Sequence, residues 1–203
     1  MAVPDLKKPI RKYLSKKKWY NIVSDVVFIA LIVLLIIPST RIELTSFFIR
    51  FTSLPPSTLE KEEQFKISSQ TKSWQIRDME GNQILFSSLN EKPVFLNFWA
   101  TWCPPCVAEL PGIIDLYEKY KDDVNFILVS NESMARVLTF GKTHNFNRAL
   151  FYQNTSVPSD FSSQSIPTTF IINKDGLVVV SEKGAARWNS ERIEEVIEKL
   201  ISE

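Results

Sequence analysis

The sequence predicts an α/β layer fold, a central mixed sheet flanked by helices, preceded by a single N-terminal transmembrane helix. Three observations predict it. A basic tail runs into a long apolar stretch between Trp19 and Ile37. From Trp74 onward, apolar runs of strand length alternate with segments of helical period. The chain then closes on an Asp-Gly hairpin signal and an amphipathic helix. A length of 203 residues accommodates an anchor plus one domain, and 44% hydrophobic with 23% charged residues excludes general disorder.

The net charge of +1 conceals a strong asymmetry. Residues 1–18 carry seven basic side chains (Lys7, Lys8, Arg11, Lys12, Lys16, Lys17, Lys18) against Asp5 alone. From Pro38 onward there are 17 basic and 21 acidic residues. The basic charge therefore sits in a short tail rather than on the folded part, which speaks against nucleic-acid binding. Residues 19–37 give 19 positions, close to the ~20 that a helix needs to cross a bilayer. Trp19 and Tyr20 suit the membrane–water interface, and the basic cluster should stay cytoplasmic under the positive-inside rule. Asp25 lies within about two turns of the helix start, near the headgroups. A cleaved signal peptide is the competing reading. The apolar stretch exceeds a typical h-region, and Pro38-Ser39-Thr40-Arg41 matches a small-x-small cleavage site poorly. No cysteine follows the apolar run closely enough for lipid modification. The expectation is an uncleaved single-pass anchor in the cytoplasmic membrane, with residues beyond it on the extracytoplasmic, periplasmic side.

Residues 38–73 show no clear period and read as a linker or stalk, with a stiff Pro55-Pro56 spacer over roughly 55–66. Phe47, Phe48 and Phe51 form an aromatic patch that fits either a bilayer surface or the start of a short helix. The domain is expected over 74–203. Trp74–Arg77 and Ile84–Phe86 flank a Gly81 turn and read as a hairpin. Val94–Trp99 is a nearly continuous apolar run, the signature of a strand buried on both faces. A helix follows from Pro104 to about Tyr120, then a strand over Val124–Val129 and a helix over Ser133–His144. Ala149–Tyr152 is a short strand. Thr169–Ile172 and Leu177–Val180 surround Asn173-Lys174-Asp175-Gly176 as a hairpin. Ile193, Val196, Ile197, Leu200 and Ile201 recur at helical spacing, with Asn189 or Ser190 as cap.

The two cysteines, Cys103 and Cys106, flank Pro104-Pro105 where a buried strand gives way to a helix. Unpaired N–H groups and the helix dipole favour a thiolate at that end. The second cysteine lies one turn on, within reach of the first. Prolines are tolerated there because first-turn N–H groups lack intrahelical partners. Structural zinc needs about four ligands, and two Cys with the single His144 do not supply them. A purely structural disulfide over so short a loop adds little stability. Unreactive buried thiols are the remaining bland reading. His144 itself reads as an inert histidine at a helix end. No metal and no cofactor are expected.

Asn97-Phe98-Trp99-Ala100-Thr101-Trp102-Cys103-Pro104-Pro105-Cys106 resembles the active-site stretch of the thioredoxin superfamily, and more narrowly its membrane-tethered TlpA/ResA/DsbE-like branch. Ser165-Ile166-Pro167-Thr168-Thr169-Phe170 through Gly176 resembles the family's cis-proline loop and following hairpin. The resemblance covers roughly Trp74 to Ser202 and implies a thioredoxin-like fold with a redox-active Cys103–Cys106 disulfide. By resemblance Cys103 is the exposed attacking thiol and Cys106 the resolving one. Pro167 is cis, placing the Ile166 backbone beside Cys103 to pair with substrate, and Trp102 borders the reactive sulfur. Asn97 stands where many thioredoxins have a buried Asp, so it cannot titrate. Glu109, three residues after Cys106 and on the same helix face, matches an acid of the ResA-like subgroup and is expected to tune or relay the Cys106 proton. Pro111 is expected to bend or interrupt the helix.

The branch implies a reductase of protein disulfides, apocytochrome c cysteines included, fed by a transmembrane electron donor. A general disulfide oxidase or isomerase would use the same residues in reverse. A thioredoxin-like adaptor or metal-delivery module is the non-enzymatic alternative, weakened by the lack of a Met- or His-rich cluster.

Overall fold

The computed structural model describes residues 18–89, 91–144, 146, 150–152, 156–162 and 165–203. Residues 1–17 of the basic tail, and Ala149 of the expected short strand, lie outside the described residues. The chain divides into two compact units, one ending at Arg41 and one spanning Ile42–Glu203.

In the first unit, helix α1 (Trp19–Ile36) has 18 residues and is apolar around most of its circumference, with Val26, Phe28 and Ile29 more than half exposed. It stops because Ile37 adopts an extended backbone. Among the described residues no helix is long and apolar enough to cross a membrane. The rise of α1 is ~27 Å, against ~30 Å of hydrocarbon.

The segment read as a linker or stalk over 38–73 contains regular elements, and the short helix left open at the phenylalanine patch is one of them. Helix α2 spans Pro38–Thr52, strand β1 is Phe65–Lys66, and a single-turn helix α3 covers Ser69–Lys72. The sheet therefore begins before Trp74, with Phe65 and Lys66 paired to Val178 and Leu177. β2 (Gln75–Asp78) and β3 (Gln83–Leu85) form the expected hairpin, and Gly81 at φ +90° makes its turn. β4 (Val94–Phe98) leads into α4 (Pro104–Tyr120). β5 (Asn125–Ser130), α5 (Met134–Thr143) and β6 (Leu150–Tyr152) follow. β7 (Thr168–Ile172), β8 (Leu177–Lys183) and α6 (Glu191–Ser202) close the chain.

The eight strands form one mixed sheet in the order β1-β8-β7-β4-β5-β6-β2-β3. β4, β5 and β6 run parallel, whereas β7 is antiparallel to both β4 and β8. All five β4 residues are buried because the pleat sends alternate side chains into two cores. Phe95 joins Phe126, Leu128, Ile113 and the α6 residues Ile193, Ile197 and Leu200 on one face. Val94, Leu96 and Phe98 join Trp74, Phe86, Phe161 and Phe170 on the other. Each such side chain contributes about 1.5–3 kcal/mol on burial.

Two local expectations are met in part. Ser190 stands at the N-cap of α6 but makes no side-chain capping bond; its carbonyl accepts from Ile193 and Glu194 N–H instead. Pro111 does not interrupt α4, which continues through it to Tyr120. Gly176 is required in the β7–β8 turn: its φ is +79°, and a Cβ there would sit 3.0 Å from Ile67 Cγ1.

Candidate active site

The end of β4 and the start of α4 bring the cysteine pair to the end of the sheet's central strands, where the parallel strands finish. Trp99 N–H donates to Val129 O, and a turn over 100–103 closes with Cys103 N–H donating to Ala100 O. Glu132, just past β5, holds that turn. Its carboxylate accepts from Thr101 N–H at 2.6 Å and Thr101 Oγ1 at 2.9 Å, and its side chain is 7% exposed. Sequence reading missed Glu132. The available signal was an acid directly after a parallel strand, beside the end of its neighbour.

Cys103 is the N-cap of α4, and Cys103 and Cys106 are joined as a disulfide. Cys106 N–H donates to Cys103 Sγ at 3.2 Å. Pro104 and Pro105 occupy the first helical positions and supply no N–H. Cys106 is therefore the first residue after the cap with a donor, and that donor is aimed at the sulfur. The expectation of an exposed Cys103 needs correction. In the disulfide form it is 3% accessible, against 1% for Cys106. Covalent pairing turns its sulfur towards Cys106, and Ile166 O lies 3.8 Å from Sγ. Trp102, by contrast, is 58% exposed.

The Ile166–Pro167 peptide bond is cis. Pro167 is buried, and its carbonyl accepts from Gly184 N–H at 2.9 Å. Trp102, Ser165 and Ile166 share the walls of a groove of about 270 Å³ with Phe98, Asn131 and Val157. Trp102 and Ile166 thus line one open, largely apolar cleft, and the Ile166 carbonyl ties it to the buried Cys103 sulfur.

Glu109 lies behind the pair, 4% exposed. Asn97 Nδ2 donates to its Oε1 at 2.8 Å, while Trp188 Nε1 at 2.9 Å and Ala186 N–H at 3.2 Å donate to Oε2. Burial pushes the carboxyl up to about 7; the hydrogen bonds from Trp188, Asn97 and Ala186 oppose the rise, and Glu182 adds to it. Asn97 Nδ2 also donates to Thr169 Oγ1 at 2.7 Å, leaving Asn97 Oδ1 buried without a hydrogen-bond partner among the described residues. Trp188, Ala186 and Thr169 were not anticipated from sequence. They lie more than 70 residues from the acid or its Asn97 partner, and no local pattern connects them.

His144 caps the end of α5 with its ring stacked 3.9 Å from Phe140 and its Nδ1 3.0 Å from Phe140 O. Among the described residues no group of three or more His, Cys, Asp or Glu side chains is placed to hold a metal ion.

A disulfide at a helix N-terminus, a cis-proline backbone beside it and a buried acid behind it form a site for thiol–disulfide exchange, and comparison with known proteins agrees. The AhpC/TSA family matches residues 67–181. The thiol-disulfide oxidoreductase ResA of Bacillus cereus is 34% identical over 142 residues, covering 68% of this chain and 81% of the relative. ResA of Bacillus subtilis is 34% identical over 121 residues, covering 58% and 68%. A crystal structure assigned to a thiol:disulfide interchange protein DsbE from Chlorobium tepidum shares the fold, with a TM-score of 0.57 at 21% identity, covering 64% of this chain and 94% of that one. The chain belongs to the AhpC/TSA family, as a thioredoxin-like thiol–disulfide oxidoreductase of the ResA type.

Proposed function

We propose that the protein is a membrane-tethered reductase of protein disulfides on the extracytoplasmic side of the cytoplasmic membrane. The observation that carries the redox part is Cys106 N–H aimed at Cys103 Sγ from the first turn of α4. In the reduced enzyme that donor and the helix dipole favour a Cys103 thiolate. The thiolate attacks a substrate disulfide, forming one S–S bond and breaking another, and the leaving sulfur departs as a thiolate that takes up a proton. Cys106 then attacks Cys103 Sγ, releasing the second substrate sulfur and restoring the Cys103–Cys106 disulfide. Glu109 takes the proton that Cys106 loses in this step; a carboxyl near 7 is matched to that work. Ile166 and Trp102 line the cleft for an extended substrate segment, and the cis Pro167 sets the Ile166 backbone there.

The tether is α1. Its rise falls about 3 Å short of the hydrocarbon core, a mismatch that flanking Trp19 and Tyr20 and slight bilayer thinning absorb. Exposed apolar side chains around α1 support lipid as their surroundings. Regeneration outside the cytoplasm requires a transmembrane electron donor, and the resemblance of the Asn97–Cys106 stretch to the TlpA/ResA/DsbE-like branch favours apocytochrome c cysteines among the substrates.

Insulin-disulfide reduction tests the core: the Cys103→Ser variant should lose it, and retained activity would sink the assignment. A reduction potential near thioredoxin's, about −270 mV, supports the reductase direction, whereas one near DsbA's, about −120 mV, turns it into an oxidase. Mixed disulfides trapped by Cys106→Ser in cells would identify the substrate.

A further inference from the structure

Helix α2 is amphipathic in an unusual sense, because its more apolar side is the more exposed one, with Phe47 and Phe51 also edging a groove they share with Ala108 and Glu109. Ile42, Ser46, Ile49 and Ser53 face inward, buried or half-buried. Ser46 Oγ donates to Pro104 O at 2.7 Å, one residue from Cys103, and Leu54 O accepts from Arg187 N–H at 3.0 Å. The outward face carries Leu44, Phe47, Phe48 and Phe51, the i, i+3, i+4, i+7 stripe that normally seeks a core. Their exposures run from 36% at Leu44 through 58% and 69% to 75% at Phe51, and Leu54 beyond the helix reaches 76%. Phe47 contacts Phe48 and Phe51 edge-on, with ring centroids 5.9 and 4.9 Å apart, so the aromatic surface is continuous. Contiguous apolar surface of this kind marks an interaction site.

We infer that this face lies on the lipid surface of the bilayer and holds the disulfide site against the membrane. The inference rests on the tether reading of α1. Given that tether, only Ile37 separates the end of α1 from the start of α2. The chain therefore enters α2 at the headgroup level, and a 15-residue helix rises only ~22 Å if it stands upright. A helix with an aromatic stripe that starts in the interface buries that stripe at the acyl boundary. Arg50, exposed on its flank in the last turn, meets anionic headgroups. The Ser46–Pro104 contact ties α2 to the helical turn that carries the disulfide. The substrate class follows: disulfides in protein segments that lie along the membrane surface, rather than in proteins free in solution.

The full chain, reconstituted in phosphatidylethanolamine–phosphatidylglycerol vesicles, carries a photoreactive p-benzoylphenylalanine at Phe51, at Val27 or, as control, at Glu118. Lipid adducts at 27 and 51 but not at 118 are expected. Lipid labelling at 27 with none at 51, or a chain–chain or other protein adduct at 51, overturns the inference and leaves the tether standing. Silence at both 27 and 51 removes the tether and this inference together. A second measurement uses a Phe48→Ser, Phe51→Ser double variant, since both side chains are exposed and carry no core. Its rate on a disulfide peptide held on the vesicle should fall while its rate on soluble insulin stays at the parent value. An unchanged ratio between the two substrates overturns the inference.

Discussion

The two faces of the sheet are packed on different principles. One face, behind Trp74, Phe86, Phe98, Phe161 and Phe170, is an aromatic cluster with neighbouring ring centroids 5.1–6.3 Å apart. The other face, beneath α4 and α6, encloses Glu109, the only charged residue buried as a whole among the described residues. Apolar packing contributes stability through area removed from water and tolerates no vacancy. A buried carboxyl does the reverse: it weakens the fold when ionised and offers a proton acceptor in return. Both faces hold the sheet through apolar packing, and the one beneath α4 and α6 adds a single buried carboxyl to that packing.

The sharpest break of this contrast is Phe86→Ala. Phe86 is fully buried and touches both Trp74 and Phe161. Chemical denaturation should show a loss of about 3–5 kcal/mol, with the insulin-reducing activity of the remaining folded protein unchanged. An activity loss beyond the folded fraction would show that the faces are not separable.

Glu109→Gln probes the other face. The carboxyl titrates near 7 in the folded chain and near 4.5 when unfolded. Between those values the folded state retains a proton that the unfolded state has lost, so stability falls as pH rises. The loss from this group totals about 3 kcal/mol and is complete above pH ~7. Denaturation midpoints of the parent should decline across that window, and the Gln variant should remove this component. The variant's rate should also lose its titration near neutrality. An unaltered pH–stability slope would mean that Glu109 is not the group responsible.

The smallest effect is expected at Pro105→Ala, which returns an N–H to the first turn of α4. A second donor near Cys103 should lower the thiol's pKa by less than about one unit, read as the pH dependence of alkylation of the reduced protein. A rise would contradict the account of the capping donor.

Much of this contrast is legible in the sequence, for physical reasons. β4 reads as a doubly buried strand because both cores demand apolar residues, and Asp175-Gly176 marks the β7–β8 turn because only glycine fits there. The cysteines stand out through their place at a strand–helix junction. What escapes is whatever depends on distance along the chain. Trp188 and Glu132 belong to the site only because the sheet brings their loops to α4 and to the turn before Cys103. β1 is two residues long, too short for any period. Helix α2 hides because its inward face includes the polar Ser46 while its phenylalanines point out, which scrambles the usual equation of apolar with buried.

Two of the three partners of the buried acid come from 77 and 79 residues downstream, in the segment that leads into the last helix. A chain that stops short of Trp188, or has not yet docked it, owns both sulfurs but not the environment that sets the carboxyl. The setting of the carboxyl is thus a property of the whole domain rather than of the helix that carries it.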